Sequence, residues 1–161
     1  MYARKRMLGL LFGGALAIST SQPAKSENDL SGFAIVQRDS SLKVAGNSIY
    51  LYGIYVPPTM ESCYTFVRPF LCGPRASIAL DFKISGNFVH CTPRSMNPDG
   101  SLIATCSSNG EDLSTWMLQS GWALSLPGAP AEYQTRQSIA QAKGIGIWGI
   151  PADSLQRRYG R

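Results

Sequence analysis

The stretch from Phe33 to Tyr55, FAIVQRDSSLKVAGNSIYLYGIY, contains three short runs that are rich in β-branched and aromatic residues. The runs cover residues 33–37, 42–44 and 48–55, and the triplets Asp39-Ser40-Ser41 and Ala45-Gly46-Asn47 separate them. β-Branched and aromatic residues favour extended strands, and short polar or glycine-containing segments favour tight turns. The stretch therefore predicts a three-stranded β-meander at the start of the folded domain.

The rest of the chain predicts one β-hairpin and three helices. Strand-like runs at 87–92 and 102–107 flank the turn-forming cluster Asn97-Pro98-Asp99-Gly100. Helices are expected from Pro74 to before Gly86, from a cap at Asn109 to near Gly121, and from Ala131 to Lys143. Five short strands with interspersed helices suit a small closed barrel. The predicted fold class is a β-barrel plus α, with five strands and about three packed helices.

The first 26 residues have the layout of a secretory signal peptide. Arg4, Lys5 and Arg6 precede an uncharged apolar run from Leu8 to Ile18, and small residues follow around Ser26. The run is too short to span a bilayer, although an uncleaved anchor is an alternative. We therefore expect a signal peptide at 1–26, a single domain at 27–161, no membrane span after cleavage, and a periplasmic or secreted protein.

Composition and charge exclude one class of protein and argue against another. Of 161 residues, 44% are hydrophobic and only 16% are charged, which is typical of a domain with a buried core and excludes charge-driven disorder. The formal net charge of +5 comes largely from the first 26 residues, which carry four basic residues and no acidic one. Eleven basic residues then remain against ten acidic ones. We do not expect a basic surface that could contact the phosphate backbone of a nucleic acid, so nucleic acid is disfavoured as a partner.

Four cysteines in an exported chain indicate disulfide bonds. If the hairpin is centred between Pro98 and Asp99, residues whose numbers sum to 197 face one another, and Cys91 and Cys106 meet this condition. Cys63 is left to pair with Cys72. A metal site is the alternative, but the sequence has no C-x-x-C motif and one histidine, so no metal is expected.

Several motifs occur in the order found in one known family. They are Ile49 to Pro57, Cys72-Gly73 before a helix, Gly100 to Cys106, Asn109 to Leu113, Gly121-Trp122-Ala123 and Gly146-Ile147-Trp148. Over residues 33–150 the chain resembles the staphylococcal-nuclease-like (thermonuclease) domain. The resemblance implies an OB-fold barrel, and in active members it implies calcium-dependent phosphodiester hydrolysis.

The resemblance fails at the catalytic positions. Ser40 and Tyr55 stand where active members have calcium-binding acids, and Tyr50 and Ser101 stand where they have arginines. Pro58 replaces the glutamate proposed as general base. A general base contributes about 10²- to 10⁴-fold and one charge-stabilising donor about 10²- to 10³-fold to a rate, so we expect no ordinary nuclease activity and no cofactor. A slipped alignment through Asp39 or Glu61 could restore a calcium site, which leaves a residual calcium-dependent nuclease as the alternative.

A binding or accessory role is therefore the preferred prediction. Tyr50 and Tyr52 share one face of a strand, and Tyr55 can join them only if the chain bends near Gly53. These tyrosines either fill a surface that has lost its charges or form an aromatic platform, and OB-type faces bind oligosaccharides as well as oligonucleotides. The chain is also similar in size and layout to exported nuclease-like proteins assigned to succinoglycan biosynthesis. The expected partner is an oligosaccharide, in an exopolysaccharide pathway, or a partner protein.

Overall fold

The computed structural model of the protein describes residues 29–58, 62–63 and 70–149, with the backbone alone for 62, 63, 70 and 71. The strands are β1 Leu30–Val36, β2 Leu42–Val44, β3 Asn47–Leu51, β4 Ile54–Tyr55, β5 Ser62–Cys63, β6 Phe70–Leu71, β7 Phe88–Met96, β8 Leu102–Ser108, β9 Glu111–Asp112 and β10 Leu124–Ser125. The helices are α1 Cys72–Ile84, α2 Leu113–Gln119 and α3 Ala131–Lys143, followed by a 3₁₀ turn at Gly146–Trp148. The predicted signal peptide, its cleavage site and Glu61 lie outside the described residues.

Strands β1, β2, β3, β7 and β8 form a closed barrel. The sheet runs β3-β2-β1-β7-β8, with antiparallel neighbours, and the parallel pairing of β3 with β8 closes it. In that parallel pair, Ile49 lies opposite Leu102 and Leu51 lies opposite Ala104. The predicted five-stranded barrel with three packed helices is confirmed, and its architecture is OB-fold-like.

Alternation along the strands fills the barrel. Leu42 and Val44 on β2 and Ile49 on β3 are fully buried, whereas the intervening Lys43 is exposed. Successive side chains of a strand point to opposite faces, so a period of two separates the core from the solvent face. The predicted meander is therefore present, with β2 at the expected residues and β3 ending at Leu51 rather than continuing to Tyr55.

Each of the two longer helices buries one stripe against the barrel or its neighbours. In α1 the buried residues Ala76, Leu80 and Ile84 recur every fourth position, as expected for an amphipathic helix. This helix begins two residues before the predicted start at Pro74. Helix α3 has the predicted bounds and ends at Gly144, whose φ of 61° is the left-handed conformation that glycine adopts without steric cost.

The predicted cap of the second helix is wrong. Asn109 and Gly110 have φ values of 51° and 77°, and they form the two-residue turn between β8 and β9. Two consecutive positive φ values define the hairpin turn that Asn-Gly sequences favour. The cap is Asp112, whose Oδ1 accepts a 2.6 Å hydrogen bond from the Thr115 backbone N–H.

The hairpin places Cys91 and Cys106 opposite each other in a disulfide bond, as predicted. From Val89 to Pro93 the facing residues do sum to 197, but an irregularity between Pro93 and Ser95 shifts the pairs nearest the turn to 198. The turn is thus centred on Asp99, and the extra residue in β7 restores the expected register at the cysteines. Cys72 is also disulfide-bonded, whereas the side chain of Cys63 lies outside the described residues, so its pairing with Cys72 stays a prediction.

Candidate functional site

The turn between β1 and β2 is a compact hydrogen-bonded loop. Its ends are joined by a 2.8 Å bond from the Gln37 N–H to the Ser41 carbonyl, and the Ser40 N–H donates to the Gln37 carbonyl. Asp39 Oδ1 accepts from the Ser41 N–H at 3.1 Å and from the Ser41 hydroxyl at 2.7 Å. Ser40 has φ 64°, a left-handed conformation that is unfavourable for a residue with a Cβ.

The turn between β7 and β8 repeats this loop bond for bond. The Asn97 N–H donates to the Ser101 carbonyl at 2.8 Å, and the Gly100 N–H donates to the Asn97 carbonyl. Asp99 Oδ1 accepts from the Ser101 N–H at 2.9 Å and from its hydroxyl at 2.6 Å. Gly100, with φ 84°, occupies the position of Ser40. We call residues 37–41 and 97–101 the twin turns.

The twin turns lie on one hollow of about 320 Å³, which we call the acidic hollow. Its lining combines carboxylates, amides, hydroxyls and one phenol: Asp39, Asp99, Gln37, Asn47, Ser41, Ser48, Ser101 and Tyr50, with Gly46 and Gly100. None of these lining residues carries a positive charge. A volume near the lower limit of about 300 Å³ for small-molecule sites fits a small polar group or one end of a longer ligand.

A second hollow of about 260 Å³, the tyrosine hollow, shares Asp39 and Tyr50 with the first. Four of the five catalytic positions inferred from the family resemblance line it: Ser40, Tyr50, Tyr55 and Pro58. The fifth, Ser101, lines the acidic hollow. Residues scattered from 40 to 101 are thus brought together around two adjoining hollows.

A bend after β3 brings Tyr55 to this place. Gly53 has φ 74°, and a Cβ there would lie 3.0 Å from Tyr133 Cε2 and 3.1 Å from the Ala129 Cβ. Both the conformation and the close approach of the segment leading into α3 require glycine at this position. Beyond the bend, β4 pairs with β10 outside the barrel, and Tyr55 lines the tyrosine hollow together with Tyr50.

Tyr52, the third tyrosine of the predicted platform, lines neither hollow. Its ring lies 5.7 Å from the guanidinium carbon of Arg94, and its backbone N–H donates to the Ala104 carbonyl. The residue follows the last residue of β3, where the chain is already turning toward Gly53. Of the three tyrosines of the predicted platform, Tyr50 and Tyr55 line the tyrosine hollow, and a contact of Tyr52 with a ligand stays a prediction.

Hydrogen bonds set the charge state of the two carboxyl groups. Partial burial acts to raise the pKa of Asp39, but hydrogen bonds from Ser41 and Tyr50 outweigh it and leave that pKa below its ordinary value. Bonds from the hydroxyl and the N–H of Ser101 lower the pKa of Asp99. The pKa of Tyr50 is raised by its bond to Asp39, by burial and by the charges of Asp39 and Asp99. The acidic hollow therefore holds two ionised carboxylates and a neutral phenol at pH 7.

The described residues around the two hollows do not fit a calcium ion of the kind that active members of the resembled family bind, and Glu61 lies outside them. Calcium takes six to eight oxygen ligands, usually including several carboxylates. Within residues 29–58, 62–63 and 70–149 there is no group of three or more acidic, histidine or cysteine side chains suited to a metal. Asp39 has both carboxylate oxygens engaged, by Ser41 and Tyr50, and the predicted acid positions hold Ser40 and Tyr55.

Asp99 was not among the predicted site residues, and Asp39 was predicted only as a substitute calcium ligand. The available signal was the repeated spacing Asp-x-Ser, at residues 39–41 and 99–101, in two segments that both precede a strand. The side chain of Asp or Asn commonly bonds the backbone two residues later, so the spacing predicts a turn. It does not reveal that the two turns meet, because that depends on the closure of the barrel.

Comparisons with known proteins do not identify a family. The chain matches no protein-family model, and a search of curated proteins gives no significant match. In the part of the chain that the structure describes, every helix is too short or too polar to cross a bilayer.

Proposed function

We propose that the protein is an exported, degenerate member of the staphylococcal-nuclease-like family. Its ligand is an oligosaccharide, which is rich in hydroxyl groups, and it does not hydrolyse phosphodiester bonds. The family resemblance supplies the frame of this proposal, and the OB-fold-like barrel agrees with it. The convergence of Ser40, Tyr50, Tyr55, Pro58 and Ser101 on two adjoining hollows supports a retained site with altered chemistry.

The lining of the acidic hollow is the single observation that carries the proposal. Two ionised carboxylates face the hollow without a compensating lysine or arginine in its lining, so a phosphate group would be repelled. Carboxylates, amides and serine hydroxyls instead supply the acceptors and donors that pair with sugar hydroxyls. Tyr50 and Tyr55, 39% and 42% exposed, add ring faces that suit the apolar faces of a sugar ring.

Export and an accessory role in exopolysaccharide production complete the proposal. The apolar segment near the start of the chain supports export. The Cys91–Cys106 disulfide agrees with it, because such bonds persist in the periplasm and outside the cell rather than in a reducing cytosol. The link to exopolysaccharide comes from the similarity to nuclease-like proteins assigned to succinoglycan biosynthesis and from the sugar-compatible hollow.

A residual calcium-dependent nuclease is a second candidate because Asp39 and Asp99 share one hollow. Two carboxylates are fewer than the ligands that calcium usually takes, and both oxygens of Asp39 are already engaged by Ser41 and Tyr50. Hydrolysis would still lack the two arginines and the general base, whose positions hold Tyr50, Ser101 and Pro58, so the expected rate is far below that of an active member.

A protein-binding module is a third candidate, favoured by a different surface. Phe33 and Phe88 pair across β1 and β7 with ring centroids 4.4 Å apart, and they are 64% and 51% exposed. Ile35 lies on the same outer face of β1 and is 68% exposed. Contiguous exposed apolar side chains of this kind mark many contact surfaces.

One experiment on purified mature protein separates these candidates. The protein is titrated with exopolysaccharide fragments by NMR, and it is incubated separately with single-stranded DNA in calcium or in chelator. We expect saturable shifts with a fragment, lost in Tyr50→Ala and retained in Tyr52→Ala, and no calcium-dependent cleavage. Calcium-dependent cleavage with no glycan binding would establish the second candidate instead. Glycan binding unaffected by Tyr50→Ala but lost on Phe33→Ser would move the site to the outer barrel face.

A further inference from the structure

The tyrosine hollow offers a ligand few polar groups. Most of its described lining presents carbon surface, from Tyr50, Leu51, Ile54, Tyr55, Val56 and Pro58. The other two lining residues are Asp39 and Ser40, and Ser40 is only 4% exposed. Both carboxylate oxygens of Asp39 already accept hydrogen bonds, Oδ1 from Ser41 and Oδ2 from Tyr50. A sugar hydroxyl placed here would find few free partners, and an unpaired polar group in such a place is unfavourable.

The adjoining acidic hollow has the opposite character. Its lining contains the side-chain amides of Gln37 and Asn47 and several serine hydroxyls, which pair well with sugar hydroxyls. The two hollows meet at Asp39 and Tyr50, which border both. A ligand that fills both spaces therefore has a polar part, rich in hydroxyls, and a short carbon-rich part beside it. An unsubstituted sugar has hydroxyls around its whole rim, so it supplies only the first part.

The size of the tyrosine hollow favours a short substituent. Its volume is about 260 Å³, below the roughly 300 Å³ at which small-molecule sites begin. Leu51 and Ile54 are 6% and 7% exposed and belong to the barrel core, so the core closes the hollow on their side. A space of this kind holds a small group together with part of the sugar ring that carries it.

Asp39 selects against an acidic substituent. Its carboxylate borders the tyrosine hollow and is ionised at pH 7, because hydrogen bonds from Ser41 and Tyr50 lower its pKa. Among the described residues that line this hollow, none is cationic. A carboxylate brought in by the ligand would therefore face Asp39 without a compensating partner. A neutral acyl group avoids this repulsion.

We propose that the ligand is an acylated sugar whose small neutral acyl group, an acetyl ester or amide, lies in the tyrosine hollow beside Tyr50 and Tyr55. This inference rests on the proposed function, because it names the substituent of the oligosaccharide that the same site binds. The acetyl methyl group contacts the tyrosine rings and Val56, and the sugar hydroxyls pair with the polar lining of the acidic hollow. Burial of one methyl group supplies about a fourfold gain in affinity.

The test compares three β-linked oligomers of equal length, made of glucose, of N-acetylglucosamine and of N-succinylglucosamine. Each is titrated into the mature protein, and calorimetry or NMR gives its Kd. We expect the N-acetyl oligomer to bind at least about fourfold more tightly than the glucose oligomer. The N-succinyl oligomer should bind more weakly than the N-acetyl oligomer because its carboxylate meets Asp39.

Two variants with matched controls locate the acyl group. Val56→Thr places a hydroxyl in the wall of the tyrosine hollow and should bring the N-acetyl and glucose affinities close together. Val36→Thr changes another partly buried valine, in a separate groove beside α1, and should leave the preference unchanged. Asp39→Asn keeps an acceptor for Ser41 but removes the charge, so it should restore N-succinyl binding. Asp81→Asn, an exposed position on α1, should not.

The outcomes distinguish the inference from the proposed function. Equal binding of the glucose and N-acetyl oligomers overturns the inference and leaves the proposed function standing. An N-acetyl preference that survives in Val56→Thr overturns the placement in the tyrosine hollow. N-succinyl binding that is as tight as N-acetyl binding, or that stays weak in Asp39→Asn, overturns the selection by charge. Binding of none of the three overturns both the inference and the sugar version of the proposed function.

Discussion

The hydroxyl of Tyr50 on β3 donates a 3.0 Å hydrogen bond to Asp39 Oδ2 in the turn that leads into β2. This bond joins two residues that border both hollows, so it fixes the wall between them. Tyr50 stands at the position where active members of the resembled family have a phosphate-binding arginine. Here the neutral hydroxyl of Tyr50 bonds to the protein's own Asp39. The group that would attract a phosphate is absent, and the acid beside it is held in place.

Removal of the Tyr50 hydroxyl should loosen this wall. Tyr50→Phe keeps the ring and deletes the bond, so the free energy of unfolding should fall by about 1 kcal/mol, and the pKa of Asp39 should rise because it loses a donor. Urea unfolding and an NMR titration of the Asp39 carboxyl measure the two effects. Tyr52→Phe, whose ring lies on Arg94 outside both hollows, is the control. An unchanged Asp39 pKa in Tyr50→Phe would falsify the pairing.

The two lowered carboxyl pKa values predict an acid-sensitive turn region. In the unfolded chain both groups titrate near pH 3.9, and in the folded chain the pKa of each is lower. Their contribution to stability is therefore complete above about pH 4 and is lost as the pH falls through the folded values. The urea midpoint, followed between about pH 2 and pH 5, should fall more steeply for the native chain than for an Asp39→Asn, Asp99→Asn double variant. Parallel curves for the two proteins would contradict this prediction.

Because Ser40 and Gly100 occupy the same position in the twin turns, Ser40→Gly and Gly100→Ser should have opposite effects on the free energy of unfolding. Ser40→Gly removes a left-handed residue with a Cβ and an unpartnered buried hydroxyl, and it should stabilise the fold by about 1 kcal/mol after the greater flexibility of glycine is offset. Gly100→Ser has open space for its side chain, so only the backbone conformation opposes it, and it should cost about 1 kcal/mol. Thermal or urea unfolding of both variants provides the measurement. If Ser40→Gly is destabilising, its hydroxyl has a role in the fold that the twin-turn geometry does not account for.

The Cys91–Cys106 disulfide should contribute strongly to stability because it lies inside the barrel. Both sulfur-bearing residues are buried, and the bond closes a loop over a sequence separation of 15 residues. A loop of that length corresponds to about 3 kcal/mol in the chain-entropy account. The double variant Cys91→Ala, Cys106→Ala, which leaves the other cysteines unchanged, should lose about that amount in urea unfolding. A loss below about 1 kcal/mol would mean that the barrel alone restrains the hairpin.

Local sequence patterns predicted most of the fold. Leu42–Val44, the hairpin and the helix Ala131–Lys143 were accessible because each depends on residues close in sequence. The cap at Asp112 was missed because Asn109-Gly110 satisfies two rules at once, as a helix start and as a hairpin turn, and the available partner strand selects the second. The cysteine register was correct although the turn centre was not, because an irregularity in β7 shifts the pairing back by one residue.

Only some residues of the candidate site could be predicted from the sequence. The family resemblance pointed to the positions of Tyr50, Tyr55 and Ser101, which do meet at the hollows. Asp99 could not be assigned in the same way, because nothing in its local sequence shows which distant turn it faces. Tyr52 was predicted to share one face with Tyr50, but it lines neither hollow, because a shared strand face does not fix which surface recess a side chain borders.

The parallel pairing of β3 with β8 also affects the order in which the parts of the barrel fold. During synthesis, the first of the twin turns leaves the ribosome well before the second, and a long intervening segment with α1 and β7 must follow before β8 can dock. Closing so large a loop carries an entropic cost that delays such contacts until late in folding. The acidic hollow, which both twin turns line, therefore exists only in the finished barrel and not in a partly made chain.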